Sequence, residues 1–399
     1  MLRPQRALAP TLRATCGFGR ARAAGAAAFP STPDGHPLVD VSTLLPGGEQ
    51  RPERSKTLRT IAEAFRSRGY FYARGVDVLP AEYISGVYDY SRGVHGLPVD
   101  VKRRFARSSG GSGAYAGPDV GEAELEYEPG SVSTVRSWDY SRARFTLGGS
   151  VSAAERYPSG ELVQPSYADF LDDLYERQNV LARGLMVAFA EMLTLPPRTF
   201  VDMFEGEDAQ GDFGTIRLLF YPGNPSLSEA EAAAATSGIS PHTDFEAFTL
   251  MHQDAPGLQF LSLSGEGWID APVRPGEFVV IVGDILERLT NGELRALPHR
   301  VVLTPHARSS IIRFNAVAAD TVVKPLPEFV TASRPAMYSR VTMKTHMETT
   351  TRNLAAGLGA WDAARQRSST ANYLYIDGVD HRVVEAERRE GGVAAAATA

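Results

Sequence analysis

Ser240-Pro241-His242-Thr243-Asp244-Phe245 and, further along the chain, Leu297-Pro298-His299-Arg300-Val301-Val302-Leu303 decide the reading of this sequence. The first run alternates and leads into β-branched residues as a strand does. Successive strand side chains point to opposite faces, so His242 and Asp244 are expected on one face. An imidazole beside a carboxylate needs one more imidazole to complete the two-His-one-carboxylate set that holds non-haem Fe(II) while leaving coordination positions open. His299, which opens a Val-rich run that reads as a buried strand, is the candidate.

Arg308-Ser309-Ser310 follows. With period-2 logic Arg308 and Ser310 share a face that Ile312 and Phe314 continue. A planar guanidinium grips a carboxylate bidentately and a neighbouring hydroxyl adds a donor, so the expected ligand is an acid bound at the metal.

Together with Gly283-Asp284-Ile285-Leu286-Glu287-Arg288-Leu289-Thr290-Asn291-Gly292, these ordered segments resemble the 2-oxoglutarate/Fe(II)-dependent dioxygenases of the isopenicillin N synthase-like family. The resemblance implies a mainly β fold with flanking helices. Its core would be a double-stranded β-helix (jelly roll), supported by N-terminal and central α-helices. It implies His242, Asp244 and His299 as iron ligands, Arg308 and Ser310 as the grip on 2-oxoglutarate, and Tyr221, just before Pro222, as a residue reaching toward that co-substrate. Where the family has Asn two residues before this tyrosine, the chain has Leu219. Where it has Asn-His-Gly after an N-terminal strand, the chain has Ala73-Arg74-Gly75.

Other residues compete for these roles. His252-Gln253-Asp254 is a second H-x-D, but it runs into Ala255-Pro256-Gly257, a turn signal that makes Asp254 a turn residue. His306 follows Pro305 in a turn. Asp284 after Gly283 reads as a helix N-cap and Glu287 as a first-turn residue. Arg300 and Arg313 fall on other faces and read as structural.

Elsewhere, Leu58, Ile61, Ala62 and Phe65 fall at helical spacing over Lys56–Arg68, ended by Gly69, and Tyr70–Ala73 reads as a strand. Helices are expected over Ala81–Val94, over the basic stretch Lys102–Arg107 with a solvated charged face, and over Tyr167–Leu193. Thr215–Tyr221, Phe248–Met251, Leu258–Leu261, Trp268–Asp270 and Phe278–Val282 are short strands separated by turn signals, as in a sandwich or barrel. Ser228–Thr236 reads as an Ala-rich surface helix with a capping box, and Glu348–Leu354 as helical. The expected division is a leader over 1–34, an N-terminal region over 35–150, helical support over 151–209 and the jelly-roll core over 210–325. A wrapping segment over 326–382 and a disordered tail over 383–399 complete it. Tyr115, from a flexible acidic stretch able to cover a pocket, and Phe245, Phe248 and Phe314 are expected to contact substrate.

The chain has 399 residues with 41 basic and 47 acidic side chains, a formal net charge of −6, and carries no nucleic-acid footprint. The single cysteine, Cys16, allows no intrachain disulfide and suits an intracellular setting. No apolar run reaches the roughly 18 to 20 residues that span a bilayer, and a monomer is expected. Arg3, Arg6, Arg13, Arg20 and Arg22 lie among Ala and Gly, with no acidic residue before Asp34. Such a leader reads as a transit peptide for mitochondria or plastids, or as a disordered tail of a cytoplasmic protein.

The expected function is oxidation of a small organic molecule by hydroxylation, desaturation or cyclisation. It would use Fe(II), 2-oxoglutarate and O2 and release succinate and CO2. Three alternatives remain at this point: an iron-dependent oxidase of the same family that does not use 2-oxoglutarate, a non-catalytic jelly-roll binding protein, and a zinc hydrolase, which would lack an evident general base.

Overall fold

A computed structural model describes residues 34–48, 50–107, 113–122, 133–142, 156–206, 213–226 and 238–355, together with Thr32, Ser228 and two short C-terminal strand pairs. The leader up to residue 31, most of the Ala-rich segment at 228–236, the acidic residues Glu124, Glu126 and Glu128, and the tail after residue 380 lie outside the described residues.

The chain opens with β1 (Leu38–Asp40), α1 (Arg54–Arg68) and β2 (Tyr70–Arg74). Helix α1 ends where expected, because Gly69 takes the left-handed conformation at φ 78° and returns its N–H to Ala64 and Phe65. Helices α2 (Ala81–His95) and α3 (Val99–Arg104) follow, then β3 (Tyr115–Ala116), β4 (Arg136–Tyr140), α4 (Tyr167–Met192) and α5 (Thr199–Glu205). Ser166 caps α4 by accepting from the Asp169 N–H. The β-rich part comprises β5 (Thr215–Tyr221), β6 (Ile239–His242), β7 (Phe248–Gln253), β8 (Leu258–Leu261), β9 (Trp268–Asp270) and β10 (Phe278–Val282). A short helix α6 (Asp284–Leu289) leads to β11 (His299–Val301) and β12 (Arg308–Asn315). After the pair β13 (Val322–Val323) and β14 (Val341–Thr342) comes α7 (Met343–Ala355).

Two sheets form the core. The larger has eight strands in the order β1-β2-β10-β7-β12-β5-β4-β3, the smaller four in the order β6-β11-β8-β9. Side-chain alternation gives the larger sheet two apolar faces. Phe278, Val280 and Val282 of β10, Phe248 and Leu250 of β7 and Ile311 of β12 share one core with Phe65 of α1 and Leu181, Leu185 and Phe189 of α4. Val279 and Ile281, Met251, Ile312, Leu219 and Tyr221 point the other way, into a second core with Leu258, Phe260 and Val301 of the smaller sheet. The layers therefore run helices, large sheet, small sheet, and this is the expected jelly roll with helical support.

Four local expectations are corrected. Phe248 lies on the helix side, fully buried with its ring 5.2 Å from Phe189 and 6.0 Å from Phe204, so it cannot contact substrate. Tyr115 sits in the same helix-side core, its ring 4.8 Å from Trp138 and its hydroxyl donating to Asp119 at 2.8 Å. The basic stretch is not wholly solvated: Lys102 is buried, paired at 2.6 Å with Asp119, which offsets the cost of desolvating its charge. Asp284 is the first helical residue of α6, and Gly283 occupies the cap position.

Removing the Phe248 ring leaves a cavity between β7 and α4, so Phe248→Ala should destabilise the protein by about 3 to 5 kcal/mol, read as a lowered urea midpoint.

Candidate metal and acid-binding site

The two histidines are brought together by strand pairing. His242 closes β6, His299 opens β11, and the antiparallel register makes them direct partners. Their rings lie 4.4 Å apart. Asp244 departs from the sequence expectation: β6 ends at His242, and Asp244 follows in the loop. That loop is held by the start of α6, where the Asp284 N–H donates to the Asp244 carbonyl at 2.9 Å and the Ile285 N–H to the Glu246 carbonyl at 3.1 Å. The Thr243 hydroxyl donates to the Asp284 carboxylate at 2.9 Å. Gly283 is needed for this approach, since a Cβ there would meet the Glu246 carbonyl oxygen at 2.3 Å.

The loop delivers the Asp244 carboxylate to the imidazoles. Its Oδ1 is 3.8 Å from Nε2 of His242 and 3.6 Å from Nε2 of His299, and these three ligand atoms all lie within 4.8 Å of one another. Each imidazole has its other nitrogen against a carbonyl, His242 Nδ1 at 2.8 Å from Ser240 and His299 Nδ1 at 3.0 Å from Leu297. A carbonyl can only accept, so both Nδ1 atoms carry the proton and both Nε2 lone pairs are available to a cation. Thr249 donates to Oδ2 of Asp244 and fixes the carboxylate plane. Burial, and next the neighbouring His299, lower the pKa of His242 to about 4, so it is neutral and ready to ligate at physiological pH.

The second H-x-D does none of this. Alternation turns His252 to the helix side, where its Nδ1 bonds the Tyr88 hydroxyl at 2.8 Å and its Nε2 accepts the Gly276 N–H at 3.3 Å. Both ring nitrogens are consumed. Asp254 accepts the Ser309 N–H at 2.6 Å as a turn residue. Arg313 is structural as expected, donating to the Tyr175 carbonyl at 2.9 Å, and Arg300 lies over the Trp268 ring.

Arg308 and Ser310 project from β12 into the inner layer beside β5 and β7, with Arg308 paired to Tyr221 and Ser310 to both Leu219 and Gln253. The Arg308 guanidinium lies 4.8 Å from the Tyr221 ring centroid, donates from Nη2 to Gln253 Oε1 at 3.0 Å and from Nε to the Ala255 carbonyl at 3.3 Å. Its Nη1 and the Ser310 Oγ are buried with no hydrogen-bond partner among the described residues. Orphaned donors this deep are costly, and a carboxylate offsets that cost. Sequence reasoning missed Gln253, which is anchored to the Ala271 carbonyl at 2.9 Å and orients the guanidinium.

A cavity of about 230 Å³ is lined by the triad and by the β5 partners of Arg308 and Ser310. Tyr221, Leu219 and Met251 line it toward Arg308, the triad lines it at the centre, and Thr215, Arg217, Phe245, Glu246 and Phe314 complete it with Met347, Thr351 and Leu354 of α7. Phe245 and Phe314 both line this cavity. Arg217 chelates Asp139 through Nε and Nη2 at 2.9 and 3.0 Å, and Arg107 joins the same carboxylate at 2.6 Å. This cluster was also missed, because nothing in the sequence marked Arg136–Tyr140 as a strand. Burial, and next the Asp244 carboxylate, push the Glu246 carboxyl up to about 8.

Residues 214–316 match the 2OG-Fe(II) oxygenase superfamily. The chain is 27% identical over 300 residues to homoarginine-6-hydroxylase 2-ODD-C23 of Glycine max, covering 73% of this chain and 88% of that protein. It is 27% identical over 347 residues to gibberellin 3-beta-dioxygenase 2-1 of Triticum aestivum, covering 84% and 87%. The solved structure of a full-length Neurospora crassa protein in complex with alpha-KG and thymine superposes at TM-score 0.67 with 22% identity, covering 80% of this chain and 96% of that one. The dioxygenase for auxin oxidation in rice gives 0.61 with 22% identity, covering 84% and 99%. Over residues 214–316 the chain carries a 2OG-Fe(II) oxygenase domain, and it is similar to 2-oxoglutarate-dependent dioxygenases over most of its length.

His242 and His252 are both held neutral, with pKa values near 4 against an ordinary 6.5. Between those values the unfolded chain binds more protons than the folded one, so stability falls as pH falls. The contribution of these two histidines to the urea midpoint of the metal-free protein should be complete above about pH 6.5 and be lost progressively toward about pH 4. His252→Gln should flatten that slope.

Proposed function

We propose that His242, Asp244 and His299 hold Fe(II), and that Arg308 and Ser310 receive the distal carboxylate of 2-oxoglutarate, for oxidation of a small organic substrate with release of succinate and CO2. The observation that carries this reading is the pair of orphaned buried donors, Arg308 Nη1 and Ser310 Oγ, on strand positions paired with Tyr221 and Leu219, which line the triad's cavity. Three protein ligands would leave a bound iron open positions for a chelating 2-oxo acid and O2. The bound iron and 2-oxoglutarate supply the oxidising chemistry.

The chain's own residues do the positioning. Ser240 and Leu297 hold the imidazole tautomers through their carbonyls, and Thr249 holds the carboxylate. Gln253 and Tyr221 fix the guanidinium from its edge and its face. Leu219, Met251, Val301 and Ile312 keep water from the space between metal and guanidinium. The relatives' names mention substrates as different as homoarginine and gibberellin, so the far end of this chain's cavity decides its own substrate.

Anaerobic addition of Fe(II) and 2-oxoglutarate should give a visible charge-transfer band, which His299→Ala should abolish. Arg308→Ala should leave metal binding in place and weaken 2-oxoglutarate binding by about 100-fold, the loss of a buried charge-assisted pair. Turnover without succinate would point instead to an oxidase that does not use 2-oxoglutarate.

A further inference from the structure

The metal centre leaves one cavity residue unexplained. Glu246 lies two residues beyond Asp244, is 6% exposed, and lines the cavity with the triad. Among the described residues no lysine, arginine or histidine forms an ion pair with it, and no side chain hydrogen-bonds to its carboxyl group. The cavity's two guanidiniums both grip Asp139. A buried carboxyl group that lines a cavity and has no ion-pair partner of its own is a ready partner for a cation entering beside it.

The register of the large sheet says which half of the cavity this is. Along β5 and β12 the partnered positions run from Tyr221 and Arg308, through Leu219 and Ser310, then Arg217 and Ile312, to Thr215 and Phe314. Co-substrate belongs at the first end. Glu246 lines the cavity with Phe245, Phe314, Met347 and Leu354, beside Thr215, Thr351 and the Asp139-bound Arg107 and Arg217.

We propose that Glu246 is a specificity-determining residue, and that the substrate is a small, largely apolar molecule bearing a cationic nitrogen, a primary amine or a guanidine, that donates to the Glu246 carboxylate. This rests on the dioxygenase reading above and names the substrate class of the same site. The competing reading is an anionic substrate drawn to Arg107 and Arg217, two positive charges sharing one carboxylate. It is the weaker one because those guanidiniums already donate to Asp139, whereas Glu246 has no side-chain partner.

The test is anaerobic calorimetry on the Fe(II)- and 2-oxoglutarate-loaded protein with three probes of one shape: benzylamine, benzyl alcohol and phenylacetate. Benzylamine should bind about 10-fold tighter than either of the others, and in Glu246→Gln that preference should shrink to about 2-fold or less. Tighter binding of phenylacetate, equal binding of all three, or a preference that survives in Glu246→Gln overturns the proposal. The order of the probes on the unaltered protein decides the matter even if the variant does not fold. The charge-transfer band recorded on the same samples separates the two readings. No band removes the dioxygenase assignment and this proposal with it, while a normal band without amine preference removes this proposal alone.

Discussion

The antiparallel pairing of β6 with β11 is the constraint on which the site depends. It sets His242 opposite His299, and a slip of one residue in either strand would turn an imidazole to the other face. Everything else about the triad adjusts around that register. Two carbonyls select the tautomers, and a loop pinned to the start of α6 brings in the carboxylate. The result is a preorganised set of three buried donors, with His242 held neutral.

The large sheet separates stability from chemistry by alternation. On β7, Phe248, Leu250 and His252 serve the helix-side core, while Thr249, Met251 and Gln253 serve the cavity, touching Asp244, the cavity wall and Arg308 in turn. On β12 the same rule sends Arg313 to α4 and Arg308, Ser310, Ile312 and Phe314 inward. Helix α7 completes the enclosure, with His346 donating to the Phe245 carbonyl at 2.9 Å and Met347, Thr351 and Leu354 lining the cavity. The loop that presents Asp244 is thereby braced from two sides, by α6 and by α7.

Much of this is legible in the sequence. Strands β5, β8, β9 and β10 have the expected ends, because their β-branched and aromatic runs are bounded by Pro and Gly. The His242, Asp244 and His299 cluster and the Arg308/Ser310 pair are legible because their chemistry is unusual at that spacing. Alternation fails twice: β6 stops at His242, so Asp244 comes from a loop, and Phe248 faces the helices while Thr249 meets Asp244 and Met251 lines the cavity. Gln253 was overlooked because it lay inside the rejected His252-Gln253-Asp254. The Asp139 cluster and Glu246 depend on contacts between distant segments, which no local pattern encodes.

The most direct test is anomalous diffraction at the iron edge from crystals grown anaerobically with Fe(II) and 2-oxoglutarate. The account predicts a single strong peak within ligating distance, about 2.0 to 2.2 Å, of His242 Nε2, His299 Nε2 and a carboxylate oxygen of Asp244, with an acid's density ending on Arg308 Nη1 and Ser310 Oγ. A peak elsewhere, or a 2-oxoglutarate whose distal carboxylate leaves both of those donors unmet, would contradict it.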